Sequence, residues 1–316
     1  MMSRNRCAHS DRLRCFLGKM VLQVNAMHEL RELAKKLLEE KKVSAVLGYE
    51  HGRRGVRPVF VTQTSECDRL VFDHQCVQNL AAYLSPRRPH LKALGRLAAV
   101  IKACDARAVA GLIRESQLKR EDVVLIGVRC GGVVRNPACA EPLSAENVAP
   151  RCLDCKKREP ELADYLVGDP KPDPPGSASR DAELAKIEAM SPAERMEYWM
   201  TLLSRCTRCN ACRQVCPMCF CDRCIAEKTQ PVWIETSPHP RGNFAWNLTR
   251  ALHLAGRCVD CGECERACPS QIPLGLLNRK LARVVADRYE YSATDDPSKA
   301  APIGNYRVDD SQEFIR

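Results

Sequence analysis

The stretch that decides the reading of this chain is SRCTRCNACRQVCPMCFCDRC, residues 204–224, which sets seven cysteines (Cys206, Cys209, Cys212, Cys216, Cys219, Cys221 and Cys224) into nineteen positions. The first four follow the spacing C-x₂-C-x₂-C-x₃-C and are closed by Pro217. The same spacing recurs downstream as Cys258, Cys261, Cys264 and Cys268, closed by Pro269, so the chain carries an internal repeat.

This repeated run is the sequence pattern of two-cluster bacterial ferredoxins. Three cysteines two residues apart can curl one loop around three corners of an Fe₄S₄ cube. The fourth, followed by proline, points away and completes the neighbouring cube. The spacing therefore predicts one [4Fe-4S] cluster on Cys206, Cys209, Cys212 and Cys268, and a second on Cys258, Cys261, Cys264 and Cys216. A zinc ribbon would instead show two C-x₂-C pairs. Forty-one residues separate Cys216 from Cys258 and include a long helical pattern, as in the α-helical ferredoxin domains of respiratory iron–sulfur subunits.

A second constellation lies upstream. Cys130 follows the apolar run VVLIGV (123–128), and Cys139, Cys152 and Cys155 follow within a loop rich in turn-forming and basic residues. Four thiols in this span are candidates for a third [4Fe-4S] cluster, with a structural zinc or two unrelated pairs as the alternatives. Cys219, Cys221 and Cys224 are left over. They are either a further site lacking an evident fourth ligand or packing thiols. Cys67, Cys76 and Cys104 are isolated and read as small buried hydrophobes.

Composition agrees with a cysteine-based metal protein. The chain has 316 residues, 20 cysteines and 45% hydrophobic content, enough for two domains. No export signal accompanies the cysteines, so metal ligands are expected rather than disulfides, and the cytoplasm is the expected compartment. No apolar run approaches membrane-spanning length; Val123–Ile126 is among the longest. The formal charge of +10 treats every cysteine as neutral. Three four-thiolate clusters would cancel about six of those charges. A mildly basic surface for acidic protein partners is the expectation, and nucleic acid is not an expected partner.

Along the chain, residues 1–26 read as a disordered leader, with Met20 and Met27 as alternative starts to Met1. Residues 27–167 read as an α/β domain with a mostly parallel sheet. A helix over 27–42 carries Leu30, Leu33, Leu37 and Leu38 at helical spacing. Strands are predicted over 43–49, 58–64, 97–103 and 123–128, with a helix over 104–118 between the last two. The cluster loop 130–155 belongs to this domain. Residues 168–182 read as a linker, from the cluster of prolines and glycines in GDPKPDPPGSASR. Residues 183–292 form the all-α ferredoxin-like dicluster domain, with helices beginning at the capping box Ser191–Glu194, over 243–256 and over 274–291. A tail, 293–316, closes the chain. His28, His51, His74, His90, His239 and His253 make no metal-binding pair on one helix face. No P-loop, nucleophile elbow or G-x-G-x-x-G is present; Gly127, Gly131 and Gly132 have the wrong spacing. No catalytic residue is assigned.

AAVIKACDARAVAGLIRES followed by VVLIGVRCGG resembles the β subunits of deazaflavin-coenzyme-reducing hydrogenases and formate dehydrogenases. The 190–290 region, from SPAERMEYW through the first cysteine run to AGRCVDCGECERACPSQIPLGLLNRKL, resembles a branch of that family with a C-terminal dicluster domain. The resemblance implies an electron-transfer subunit working beside a formate dehydrogenase, hydrogenase or heterodisulfide-reductase-like module in anaerobic metabolism. It also implies that Lys102, Cys104 and Asp105 lie nearest any bound FAD. Ala103 departs from the family's proline, and the glycine- and cysteine-rich flavin turn is not evident near 1–30. Two other functions stand beside this one. The first is a flavin-containing catalytic subunit acting on a deazaflavin or nicotinamide coenzyme. The second is a zinc-stabilised regulatory or nucleic-acid-binding module.

Overall fold

The structure, a computed structural model, describes residues 26–88, 91, 93–176, 179–306 and 308–309. The leader up to residue 25, with Cys7 and Cys15, the histidine at 90 and the end of the tail lie outside the described residues.

Helix α1 covers 26–39. Leu30, Ala34 and Leu37 form its buried stripe, at the spacing an amphipathic helix requires. It leads into β1 (Ala45–Gly52), which turns through Arg53–Arg54 into β2 (Gly55–Val61). That pair is an antiparallel hairpin, with Val46 opposite Val61 and Gly52 opposite Gly55. β3 (Leu97–Ile101), β4 (Val123–Val128) and β5 (Tyr165–Val167) complete a five-stranded sheet in the order β2-β1-β3-β4-β5. The β1–β3, β3–β4 and β4–β5 pairings are all parallel. Helix α2 (Ala103–Arg114) makes the crossover between β3 and β4. Every residue of β3 and β4 is buried, as expected where a parallel sheet is covered on both faces.

α3 (Pro150–Leu153) is a single turn carrying Cys152. After β5 every named element is a helix: α4 (Arg180–Glu188), α5 (Pro192–Ser204), α6 (Ala211–Gln214), α7 (Pro240–His253), α8 (Glu263–Arg266) and α9 (Leu274–Tyr289), besides one 3₁₀ turn. α5 starts at the expected capping box, with Ser191 accepting from the Glu194 amide and Glu194 accepting from the Ser191 amide. α7 packs between α5 and α9, and Leu203, Trp246, Ile272 and Leu274 are core residues of this helical part.

The main core runs from the sheet into the cysteine loops, taking in Met218, Leu254 and Val259. Gly111 on α2 makes this approach possible: a Cβ there would lie 2.7 Å from Met218 Cε. Arg257 clasps Glu115 with two nitrogens, and Arg87 donates to the carbonyls of Arg213 (3.2 Å) and Gln214 (3.1 Å). The proline-rich segment read as a linker is packed: Lys171 and Pro174 lie against Gly131 and Gly132, and Asp173 pairs with Arg158 at 2.9 Å. The start of the tail docks as well, through Asp295 to Lys157 at 2.8 Å. Among the described residues no helix is long and apolar enough to cross a membrane.

Candidate metal centres

The internal repeat is present in the backbone as well as in the cysteine spacing. Arg208 and Asn210 have left-handed φ values of 58° and 58°, and their counterparts Asp260 and Gly262 have 53° and 67°. One-turn helices follow at matching positions, Ala211–Gln214 and Glu263–Arg266. Each then delivers its last cysteine through a turn, the Cys216 amide donating to Arg213 O (3.3 Å) and the Cys268 amide to Glu265 O (3.1 Å). Two left-handed residues per loop let the chain curl tightly around a common centre.

Cys206, Cys209 and Cys212 line a small, partly open cavity of about 20 Å³, and the fourth cysteine on its wall is Cys268, from the other repeat. Trp246, Ile272 and Leu274 supply apolar walls. Asn243, at the start of α7 and fully buried, donates to Cys206 O at 2.7 Å and fixes the loop's entry. Burial pushes the Cys212 thiol up, and Arg250 opposes that push.

The second set is more deeply enclosed. Burial pushes Cys258 up to about 12 and raises Cys261 and Cys264, and Cys216 is among the charged neighbours of all three. Cys216 therefore faces the second triplet, as Cys268 faces the first. Cys216 itself is lowered, chiefly because the Cys219 thiol donates to it. Asn278 on α9 donates to Cys264 Sγ at 3.8 Å.

The three surplus cysteines do not converge. Cys219 sits beside Cys216, Cys224 packs in the helical core near Cys206, and Cys221 is exposed. Arg213, buried, holds their loop by donating to Cys221 O at 2.9 Å and pairing with Glu227 at 2.5 Å.

Cys130 and Cys152 belong to the upstream constellation, and Cys130 lies just past the C-terminal end of β4, the edge where open α/β sheets present their sites. With Cys155 they line a cleft of about 1130 Å³, which Cys258 of the second set also reaches. Burial pushes Cys130 up to about 11, with Cys152 adding to the effect. The Gly132 amide donates to Cys130 Sγ at 3.4 Å. Cys139 does not line the cleft. It packs in a small core with Cys130 and Cys152, where Asn147 donates to its sulfur at 3.7 Å. Among the described residues no three His, Cys, Asp or Glu side chains converge on a single metal ion. The sulfurs of a tetrahedral zinc site would have to sit about 3.8 Å apart. In the first set the thiols surround a cavity instead of a point.

Lys102 and Cys104 face the same cleft. Lys102 is buried and donates to Tyr49 Oη and to Gln78 O (2.8 Å), and it pairs with Asp105 at 3.0 Å. Burial works against its charge, but Asp105 and Tyr49 more than compensate, so its pKa is raised. Cys104 is raised by burial. Cys67 and Cys76 are fully buried core residues, as expected.

The sequence does not mark Tyr49, Gln78, Arg151 or Arg250 as site residues, yet the fold brings them there. Arg250 is buried and Arg151 has only 9% of its side chain exposed, both beside the cysteines, so part of the positive charge expected at the surface lies inside.

No protein-family model matches the chain. It is 24% identical over 350 aligned positions, 82% of this chain and 89% of the relative, to an F420-dependent formate dehydrogenase subunit beta of Methanocaldococcus jannaschii. It is 21% identical over 362 positions, 86% of this chain and 92% of the relative, to an F420-dependent formate dehydrogenase 1 subunit beta of Methanococcus maripaludis. F420 is a deazaflavin coenzyme, so these relatives are of the kind that the 97–132 and 190–290 motifs resemble. By sequence, and over most of its length, the chain is a relative of the β subunits of F420-reducing enzymes.

Proposed function

We propose that this chain is an iron–sulfur electron-transfer subunit of a larger cytoplasmic oxidoreductase complex, working beside a formate dehydrogenase, hydrogenase or heterodisulfide-reductase-like catalytic module. The observation that carries the reading is the cavity walled by Cys206, Cys209, Cys212 and, from the other repeat, Cys268. These four would hold one [4Fe-4S] cluster. Cys258, Cys261, Cys264 and Cys216 would hold a second, in a ferredoxin-like helical domain. Cys130, Cys152 and Cys155, with Cys139 as the fourth candidate, would hold a third. Such clusters, when bound, supply one-electron carriers whose potentials depend on charge, burial and hydrogen bonds to sulfur. The chain's own part is to present thiolates, to wall them with Trp246, Ile272 and Leu274, and to donate from Gly132 and Asn278 to sulfur. Because Cys258 reaches the cleft of Cys130, Cys152 and Cys155, the second set stands between the other two along the relay.

The test is elemental. Protein purified without oxygen should carry about twelve irons and twelve acid-labile sulfides per chain, about four of each per cluster. Zinc without sulfide would overturn the reading in favour of a zinc-stabilised module. A pull-down from the native organism should recover a catalytic subunit. A second reading, a catalytic subunit holding FAD against Lys102 and Cys104, draws on the size of the cleft and on its basic lining, which includes Arg107 and Arg158. A flavin absorbance band that bleaches on adding reduced coenzyme would favour it.

A further inference from the structure

Two arginines, Arg250 buried and Arg151 with only 9% of its side chain exposed, stand at the two junctions between the three cysteine sets. Arg250, on α7, is 5% exposed. Its Nη2 donates to Cys212 O at 3.1 Å, its Nε has no partner, and among the described residues it makes no ion pair with a carboxylate. Thiols of both ferredoxin-like sets, Cys216 and Cys264 of the second and Cys212 of the first, lie within its electrostatic reach, together with Cys219. Arg151 occupies the other junction. It precedes Cys152, donates to Val77 O at 2.7 Å, and runs its side chain over Gly262, where a Cβ would meet its Cδ at 2.9 Å. Cys152, Glu263, Cys104 and Cys261 are its charged neighbours, so thiols of the upstream and second sets both lie within its reach. The nearest carboxylate, Glu263 at 3.7 Å, is shared with Arg266, which holds it at 2.7 Å and 3.0 Å.

A guanidinium buried without a carboxylate of its own is costly unless another anion faces it. Thiolates on an iron–sulfur core, with an overall charge of about −2, are such an anion. We infer that Arg250 and Arg151 are the junction cations of the relay, each raising the reduction potentials of the two clusters that flank it. The inference rests on the electron-transfer reading above. A fixed positive charge in a low-dielectric interior favours the more negative, one-electron-reduced form of a neighbouring cluster. Arg250 then acts on the 206 and 258 sets, and Arg151 on the 258 and 130 sets. The middle set feels both.

The test is a reductive titration of the full chain followed by electron paramagnetic resonance, with iron and sulfide measured on each sample. Signals are first assigned with Cys209→Ser and Cys261→Ser. Arg250→Gln should keep its iron, move the signals of the 206 and 258 sets to more negative potential, and leave that of the 130 set in place. Arg151→Gln should move the 258 and 130 signals and leave the 206 signal. Arg250→Lys and Arg151→Lys, which keep the charge, should stay closer to the parent potentials. Full iron with unmoved potentials would overturn the inference and leave the relay standing, as would loss of iron in both the Gln and Lys variants, which would make the arginines loop supports. A parent protein without iron and sulfide would instead remove the relay itself.

Discussion

Arg180, the first residue of α4, holds Glu265 of α8 through both ends of its guanidinium, Nη1 to Oε2 at 2.5 Å and Nη2 to Oε1 at 2.6 Å. The pair is largely buried and ties the exit of the proline-rich strap to the second cysteine loop, and Glu265 also accepts from the Gly275 amide at 2.9 Å. Arg180→Ala should cost about 3 kcal/mol, because it strands a carboxylate among buried groups. Glu265→Gln keeps part of the network and should cost about 1–2 kcal/mol. Anaerobic thermal melts of both variants check the order; equal losses would show that the bidentate geometry contributes nothing.

The crosswise geometry makes a sharp prediction about iron. Cys268→Ser should remove about four irons and the signal of the 206 set, and Cys216→Ser should remove that of the 258 set. Cys221→Ser, at an exposed position outside both sets, should leave the iron unchanged. If Cys268→Ser abolished the signal of its own triplet, each repeat would be self-contained and the pairing wrong.

The left-handed positions of the two loops predict opposite tolerances. Asn210, at φ 58°, should accept glycine at no cost, while Asn210→Ala should lose about 1 kcal/mol. Gly262→Ala should lose more than that, since its Cβ would also displace Arg151 from its seat. Chemical denaturation followed by circular dichroism measures both.

Asp295 docks the start of the tail on Lys157 and on the Glu161 amide, at 2.8 Å and 3.2 Å. Burial opposes its charge, but these bonds outweigh burial and lower its pKa. Its stabilising contribution is therefore complete above the ordinary aspartate value of about 3.9 and is lost as pH falls through the lowered folded value. Lys157, raised chiefly by its bond to Asp295, contributes below about 10.4 and loses that as pH rises through its folded value. Asp295→Asn should cost about 1 kcal/mol at neutral pH and speed proteolytic clipping near 291–301. Clipping at the parent rate would mean that the tail is held by its other contacts.

The elements with strong local signals were legible in the chain: the leucine stripe of α1, the all-apolar β3 and β4, and the Ser191 capping box. β5 was not, because three residues, two of them exposed, carry no period to read. The β1–β2 hairpin was read as two strands without its antiparallel pairing, its turn being the two arginines 53 and 54 and not a sequence that favours tight turns. The proline-rich strap looked like a linker because its contacts, to Gly131 and Gly132, come from far away in sequence. Arg151 and Arg250 carry no local sign of burial. Their environment is set by thiols that only the folded chain brings near them.

That Cys268 walls the cavity of Cys206, Cys209 and Cys212 also bears on how the protein is made. A chain emerging from its amino end exposes Cys206, Cys209 and Cys212 well before Cys268. The first cavity therefore lacks a wall until Cys268 is made, after all four cysteines of the second set. Stopping the ribosome anywhere in the stretch before Cys268 leaves that pocket of thiols open, so closure of the earlier cavity is timed by the last cysteine of the second run.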